Sequence, residues 1–236
     1  MTHHLPALRF HALAWAYEPI AMRLCRAHRW RPAVVDAIAP APGLRILDLG
    51  CGPGTLARRI AERAPAAVVV GVDPDPVMLA RARAVLGPRV PLLRASATAL
   101  PFAGAFDVCT ASLVFHHLRP ADKGLALGEA RRVLRPGGRL VLADWGPPDT
   151  AAGRAAFAVT QVFDGRAVTA EHADGRFAAR LCASGFVDVA EQGRWPTPVG
   201  TLCLYVGHKP SSARKPRMSP ATRVGASRCG QWPSSG

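Results

Sequence analysis

The chain has 236 residues, with 30 basic and 16 acidic side chains for a net charge of +14, and 49% of its residues are apolar. That apolar share can build a core and excludes wholesale disorder, while 22 glycines and 22 prolines without a three-residue period exclude a collagen-like fibre. No window of about 18 residues is both uncharged and mainly apolar, so no membrane-spanning helix is expected.

Met1 to Phe10 contains His3, His4, Pro6 and Arg9 and no apolar run of the secretory kind, which predicts a cytoplasmic protein. Residues 1–42 read as a helical lead-in, or lid, carrying Trp15, Tyr17 and Trp30. The domain proper is expected over 43–208. It opens on a short apolar strand, Leu44–Leu49, followed by Gly50, Gly52 and Gly54. Leu56, Ile60 and Ala64 then recur at helical spacing, with Arg58, Arg59, Glu62 and Arg63 on the other face. Ala67–Asp73 is a second strand. Asp75 and Pro76 supply an N-cap acceptor and a proline at the first helical position, so a helix is expected over 77–86.

Val90–Ala95 and Phe106–Val114 read as the third and fourth strands. A helix opens at Pro120 and Asp122 and runs to Leu134, where Pro136-Gly137-Gly138 stops it. Arg139–Asp144 is the fifth strand. Beyond Pro147-Pro148 the pattern predicts helices over Ala151–Phe163 and Glu171–Ser184, with Gly185 at the C′ position, and two last strands, Phe186–Glu191 and Thr201–Gly207. Strand and helix alternate roughly every 20–25 residues, which argues for a doubly wound, mainly parallel seven-stranded α/β sheet. Residues 209–236 read as a disordered basic tail. From Lys209 onward there are six cations and no acid, so much of the net charge lies outside the expected fold.

The six cysteines include no C-x-x-C pair, and no His/Cys cluster has zinc spacing, so no metal is expected. Cys109 and Cys203 lie in apolar runs and read as small core residues.

The chemistry centres on Asp48-Leu49-Gly50-Cys51-Gly52-Pro53-Gly54, between a strand and a helix. The chain must turn sharply there and pass close to a ligand, and Cβ atoms would block it. Asp73 ends the next strand 23 residues after Gly50, where a carboxylate can accept from both hydroxyls of a ribose. A dinucleotide loop reads G-x-G-x-x-G, but here the third glycine comes one residue early and Thr55 stands in its place. The acid at position 48 would repel a diphosphate and suits a cation or an ammonium group.

These residues carry a resemblance. ILDLGCGPGTLA (46–57), GVDPDPVML (71–79), ALPF (99–102), FDVCTASLVFHHL (106–118) and RRVLRPGGRLVLADW (131–145) are similar to class I S-adenosylmethionine-dependent methyltransferases, in particular the ubiquinone/menaquinone-biosynthesis C-methyltransferase-like group. The resemblance spans roughly residues 40–207. It implies a Rossmann-like methyltransferase fold, S-adenosyl-L-methionine as cofactor, and an enzyme that moves a methyl group to O, N or C of a small molecule by in-line displacement. It implies that Asp48, Gly50, Cys51, Gly52 and Gly54 line the methionine end, that Asp73 holds the ribose, and that Pro74 (or Asp75), Met78, Ser96, Ala97 and Thr98 border the adenine. Where relatives commonly carry an acid for the adenine amino group, this chain has Ser96, a weaker neutral acceptor.

His116 and His117, past the fourth strand, are the candidate catalytic bases, since a neutral imidazole can take a proton from a phenol, enol or amine. Asp144 reads as a loop-organising acceptor, and Trp145 either stacks on a flat acceptor or packs on the following helix. The acceptor pocket is expected from the lead-in and from residues 159–168, including Phe163 and Asp164, though the aromatics of both segments read equally as core residues. The alternatives are a nucleic-acid methyltransferase, which the charge favours and the absence of an N-P-P-Y motif or RNA-binding module disfavours, a non-catalytic cofactor-binding protein, and a nicotinamide-dependent oxidoreductase, which the glycine spacing disfavours.

Overall fold

The computed structural model describes residues 23–211. Trp15, Tyr17 and the tail beyond residue 211 lie outside the described residues. The first complete helix, α1 (Ala27–Ile38), leads into β1 (Arg45–Leu49), α2 (Thr55–Arg63), β2 (Val68–Asp73) and α3 (Pro76–Leu86). Next come β3 (Leu92–Arg94), β4 (Phe106–Ser112), a 3-10 turn (Phe115–His117), α4 (Pro120–Val133) and β5 (Leu134–Gly146). Three helices follow, α5 (Ala151–Asp164), α6 (Arg166–Ala173) and α7 (Arg176–Ala183), and then β6 (Val187–Thr197) and β7 (Gly200–His208).

The seven strands form one sheet in the order β3-β2-β1-β4-β5-β7-β6. Every pairing from β3 to β5 is parallel, and β7 runs antiparallel to both β5 and β6. This is the expected doubly wound, mainly parallel seven-stranded sheet. The strand order reverses between β1 and β4, so the carboxyl ends of β1, β2, β4 and β5 share one edge with a crevice above the switch point.

Helices cover both faces, and the two-residue pleat sorts the side chains between them. Leu47, Leu49, Val70 and Val72 pack with Ala126, Leu127 and Ala130 of α4 and Phe177 and Leu181 of α7. Ile46 and Val69 pack on the opposite face with Val34 and Ile38 of α1 and Leu56 and Ile60 of α2. Asp48 and Asp73 share the parity of Ile46 and Val69 and so lie on the α1/α2 side. Trp30 is fully buried here, and its indole N–H donates to the Cys25 carbonyl at 3.0 Å. Of the two readings of Trp30, pocket wall or core residue, the structure shows the core one. Cys25, Cys51, Cys109 and Cys203 are buried free thiols.

Three local expectations are corrected. Pro136-Gly137-Gly138 is not the gap between helix and strand: α4 ends at Val133 and β5 starts at Leu134, with an irregularity that shifts the β4 register from Phe106↔Leu134 to Val108↔Arg139. The bulge absorbs residues that cannot join the ladder, and Gly137 takes a φ of +78°. The single helix expected over 171–184 is two, broken at Asp174-Gly175 because Gly175 adopts a φ of +77°. β3 is only three residues long, an edge strand between a turn and the 96–99 bridge.

A test of the bulge follows from its crowding. A Cβ on Gly138 would lie 2.9 Å from the Arg135 carbonyl and 3.0 Å from the Asp107 carbonyl, and backbone cannot step aside. Gly138→Ala should cost about 1–3 kcal/mol in urea unfolding. Gly128→Ala, inside α4 with nothing within 4 Å of the new methyl, should instead stabilise by about 0.5–1 kcal/mol.

Candidate active site

The glycine loop turns the chain back over the end of β1. Gly50, Gly52 and Gly54 take φ values of +65°, +52° and +81°, and a Cβ on Gly50 would meet Val114 at 2.6 Å. The loop therefore lies directly against the residue that leads into the 3-10 turn after β4. Cys51 contributes backbone only: its N–H donates to the Val72 carbonyl at 2.9 Å, and its buried side chain packs against Gly71.

Two carboxylates flank this loop. Asp73 is fixed by backbone, its Oδ2 accepting from the Gly52 N–H at 2.9 Å and its Oδ1 from the Asp75 N–H at 2.9 Å. Asp48 is only 1% exposed, and neither of its oxygens has a hydrogen-bond partner among the described residues. Burial pushes its pKa up to about 7; the Asp73 charge adds to this, and Arg31 offsets it only in part. A buried carboxyl with both oxygens unpaired beside a glycine turn fits a ligand that brings a positive, hydrogen-bonding group, such as an ammonium.

The expected adenine border lies further along the same edge. Pro74, Arg94, Ala95 and Ser96 line an open cavity of about 260 Å³. Met78 is half-buried on the first turn of α3, which Asp75 caps by accepting from the Val77 N–H at 2.7 Å. The Ser96 hydroxyl organises its own turn, pairing with the Thr98 hydroxyl at 2.8 Å and accepting from the Thr98 N–H at 3.2 Å. Ala97 is buried in the core. The ALPF segment is held from α4, where Glu129 accepts from the Leu100 N–H at 2.7 Å and Arg132 donates to the Leu100 and Phe102 carbonyls.

On the other side of the loop sits a second buried acid, fully satisfied. Asp144, at the end of β5, accepts from the N–H groups of Val114 (3.1 Å), Phe115 (2.8 Å) and Trp145 (2.8 Å), and lies 2.8 Å from His116 Nδ1. Burial alone would raise its pKa, but His116, His172 and these amides hold it well below the usual carboxylate range. His116 is 4% exposed; burial works against its charged form, yet Asp144 and Asp164 outweigh that and raise its pKa. His117 lies beside it with ring centroids 3.9 Å apart and the rings tilted by 44°, a third of its side chain open to solvent.

Asp164, the last residue of α5, faces both imidazoles, 3.9 Å from His116 Nε2 and 4.0 Å from His117 Nδ1. Its neighbour Phe163, expected in the acceptor pocket, is 71% exposed. Trp145 is buried edge-to-face on Phe157 of α5, so it packs against the following helix. Two buried groups were missed by sequence reasoning. His172 is fully buried, with Nδ1 2.8 Å from the Trp145 carbonyl and the ring stacked on Phe177. Lys123 is fully buried, donating to the Val168 carbonyl at 2.5 Å with Glu171 at 4.0 Å. Lys123 shares the helical stripe of Ala126, Leu127 and Ala130, which was its one legible signal.

The buried Asp48 yields a pH test. Its folded pKa lies above the unfolded value, so between about pH 4 and pH 7 the folded protein retains a proton that the unfolded chain releases. Stability of the ligand-free protein should therefore fall as pH rises through that window and level off above it. Asp48→Asn should remove the part of the slope that Asp48 supplies and gain up to about 4 kcal/mol at pH 8, scaled from about 1.4 kcal/mol per pKa unit. Urea unfolding of both proteins between pH 4 and pH 8 measures this.

Residues 46–138 match the family described as a methyltransferase domain. A demethylmenaquinone methyltransferase of Thermus thermophilus is 49% identical over 124 residues, covering 51% of this chain and 56% of that protein. A ubiquinone/menaquinone biosynthesis C-methyltransferase of Syntrophotalea carbinolica is 41% identical over 124 residues, covering 51% of this chain and 52% of its own. The chain thus spans about half the length of the curated relatives it matches. Among solved structures, a 1,6-didemethyltoxoflavin-N1-methyltransferase of Burkholderia thailandensis superposes with a TM-score of 0.62 at 17% identity, covering 86% of each chain. A phosphoethanolamine N-methyltransferase of Haemonchus contortus gives 0.63 at 17% identity, over 78% of this chain and 53% of that one. At such identities these two show a shared fold.

Proposed function

We propose that this chain, which carries a methyltransferase domain over residues 46–138, binds S-adenosyl-L-methionine and moves its methyl group to a small aromatic acceptor of the hydroquinone kind. The observation that carries the reading is the pair of carboxylates at the glycine loop, one held by two amides and the other buried with both oxygens unpaired among the described residues. Such a cofactor supplies a methyl group already activated on a sulfonium.

The residues divide the work along the sheet edge. Asp73, fixed by Gly52 and Asp75, is set to accept from a diol, and its rigidity means little ordering entropy is lost on binding. Asp48 offers a buried negative charge to an ammonium group, and that pairing would draw its carboxyl to the ionised form. The three glycines let the backbone close on the ligand. Pro74, Met78 and the 94–98 segment border the adenine.

On the acceptor side, His116 and His117 are the groups offered to take a proton from an acceptor hydroxyl. Asp144 fixes the His116 ring through Nδ1, and Nε2 lies 3.9 Å from Asp164. With an activated methyl donor, holding the acceptor atom in line is the main task, and proton removal matters only for an acceptor that must lose a proton. The hydroquinone class rests on the curated relatives.

Transfer of labelled methyl from S-adenosylmethionine to hydroquinones, phenols, amines and RNA tests the reading. Label on a hydroquinone is expected, and turnover on RNA alone would overturn the acceptor class. Calorimetry of Asp73→Ala should show cofactor binding weakened by about 1–3 kcal/mol, the loss of a charge-assisted pair of hydrogen bonds. Unchanged affinity would mean that the ribose is held elsewhere.

A further inference from the structure

We infer that His116, His117 and Asp164 form a binding site for one divalent transition-metal ion. Each offers one ligand atom, and these atoms lie within 4.8 Å of one another. Ligands at about 2.0–2.2 Å from a shared zinc are themselves about 3–3.5 Å apart, so the cluster needs to contract by roughly an ångström. The two side chains able to supply that movement are the less buried ones, His117 at 34% and Asp164 at 19% exposure. His116 needs no movement, because it is locked from behind.

That lock is the second observation. A histidine that binds a metal through one ring nitrogen characteristically donates its other N–H to a carboxylate, which fixes the tautomer and turns the free lone pair toward the ion. His116 Nδ1 lies 2.8 Å from Asp144 Oδ1, and Asp144 is itself held by three backbone amides. His116 Nε2 and Asp164 Oδ2 stand 3.9 Å apart. A proton held between an imidazole and a carboxylate can be exchanged for a metal ion held between the same two atoms. Two imidazoles and one carboxylate suit zinc, iron, cobalt or nickel rather than magnesium or calcium.

Three protein ligands leave coordination positions open. On the methyl-transfer reading above, from which metal binding itself is independent, the ion would replace the imidazoles as the group that acts on the acceptor, taking its oxygen in an open position and lowering its pKa. The sequence hid the site because its ligands are two adjacent histidines and an aspartate 47 positions later, a spacing that matches no zinc motif.

The test uses the full chain stripped with a chelator, then titrated with zinc by calorimetry and with cobalt by visible absorption. One ion per chain is expected, with cobalt bands of a nitrogen- and oxygen-ligated site. Asp164→Asn and His117→Ala, each confirmed as folded by circular dichroism, should each weaken zinc binding by at least about tenfold and lose the cobalt bands. No uptake by the wild-type protein would overturn the proposal. So would undiminished uptake in both folded variants, since the ion would then be held by other groups, such as His3 and His4. S-adenosylmethionine binding, titrated separately on the wild-type chain, decides the methyl-transfer reading without touching this one.

Discussion

Both sides of the crevice depend on the hydrogen-bonding of the Asp144 carboxylate. A charge buried at 0% exposure is costly unless it is paired and hydrogen-bonded, and here three amides and one imidazole compensate it. Those bonds determine the path of the backbone after β4. Val114 is held where it presses on the glycine loop, and His116 is held facing Asp164. The position of the loop and the orientation of the histidine thus share one anchor at the end of β5.

Asp48 and Asp144 are both buried acids at the same sheet edge, and the contrast between them divides the crevice by function. Asp144 is saturated by its own chain, so it is structural and its pKa is depressed. Asp48 has no hydrogen-bond partner among the described residues, and burial raises its pKa to about 7. A protein can carry an unsatisfied buried carboxyl where a ligand satisfies it, and the energetic cost in the free protein becomes selectivity for that ligand. Asp73 lies between these extremes, oriented by two amides.

Helix α5 joins the crevice to the surface. Thr160 ties it to the Val199 carbonyl at 2.6 Å, and Asp164 at its end closes the histidine cluster. Its outer side exposes Val159, Val162 and Phe163 at 54%, 78% and 71%. The aromatic expected to line the acceptor pocket therefore faces out, while the acid beside it faces in. A helix turns by about 100° per residue, so neighbouring positions point in different directions, and only the packing chooses which one faces the site.

The sequence by itself determined the alternation of strands and helices, the glycine turn after β1, the acid at the end of β2 and the Asp75 cap. Each is a local consequence of residue type, set by hydrophobic period, by backbone sterics or by an N-cap acceptor. Which residues meet across distance was decided only by the tertiary structure. Trp30 became core because α1 packs on the sheet, Ser96 was taken up by its own turn, and Lys123 and His172 were buried where other elements supplied carbonyl acceptors. The convergence of His116, His117 and Asp164 depends on where α5 docks on the sheet. Docking is fixed by the summed packing of both faces, and no single stretch of sequence records that sum.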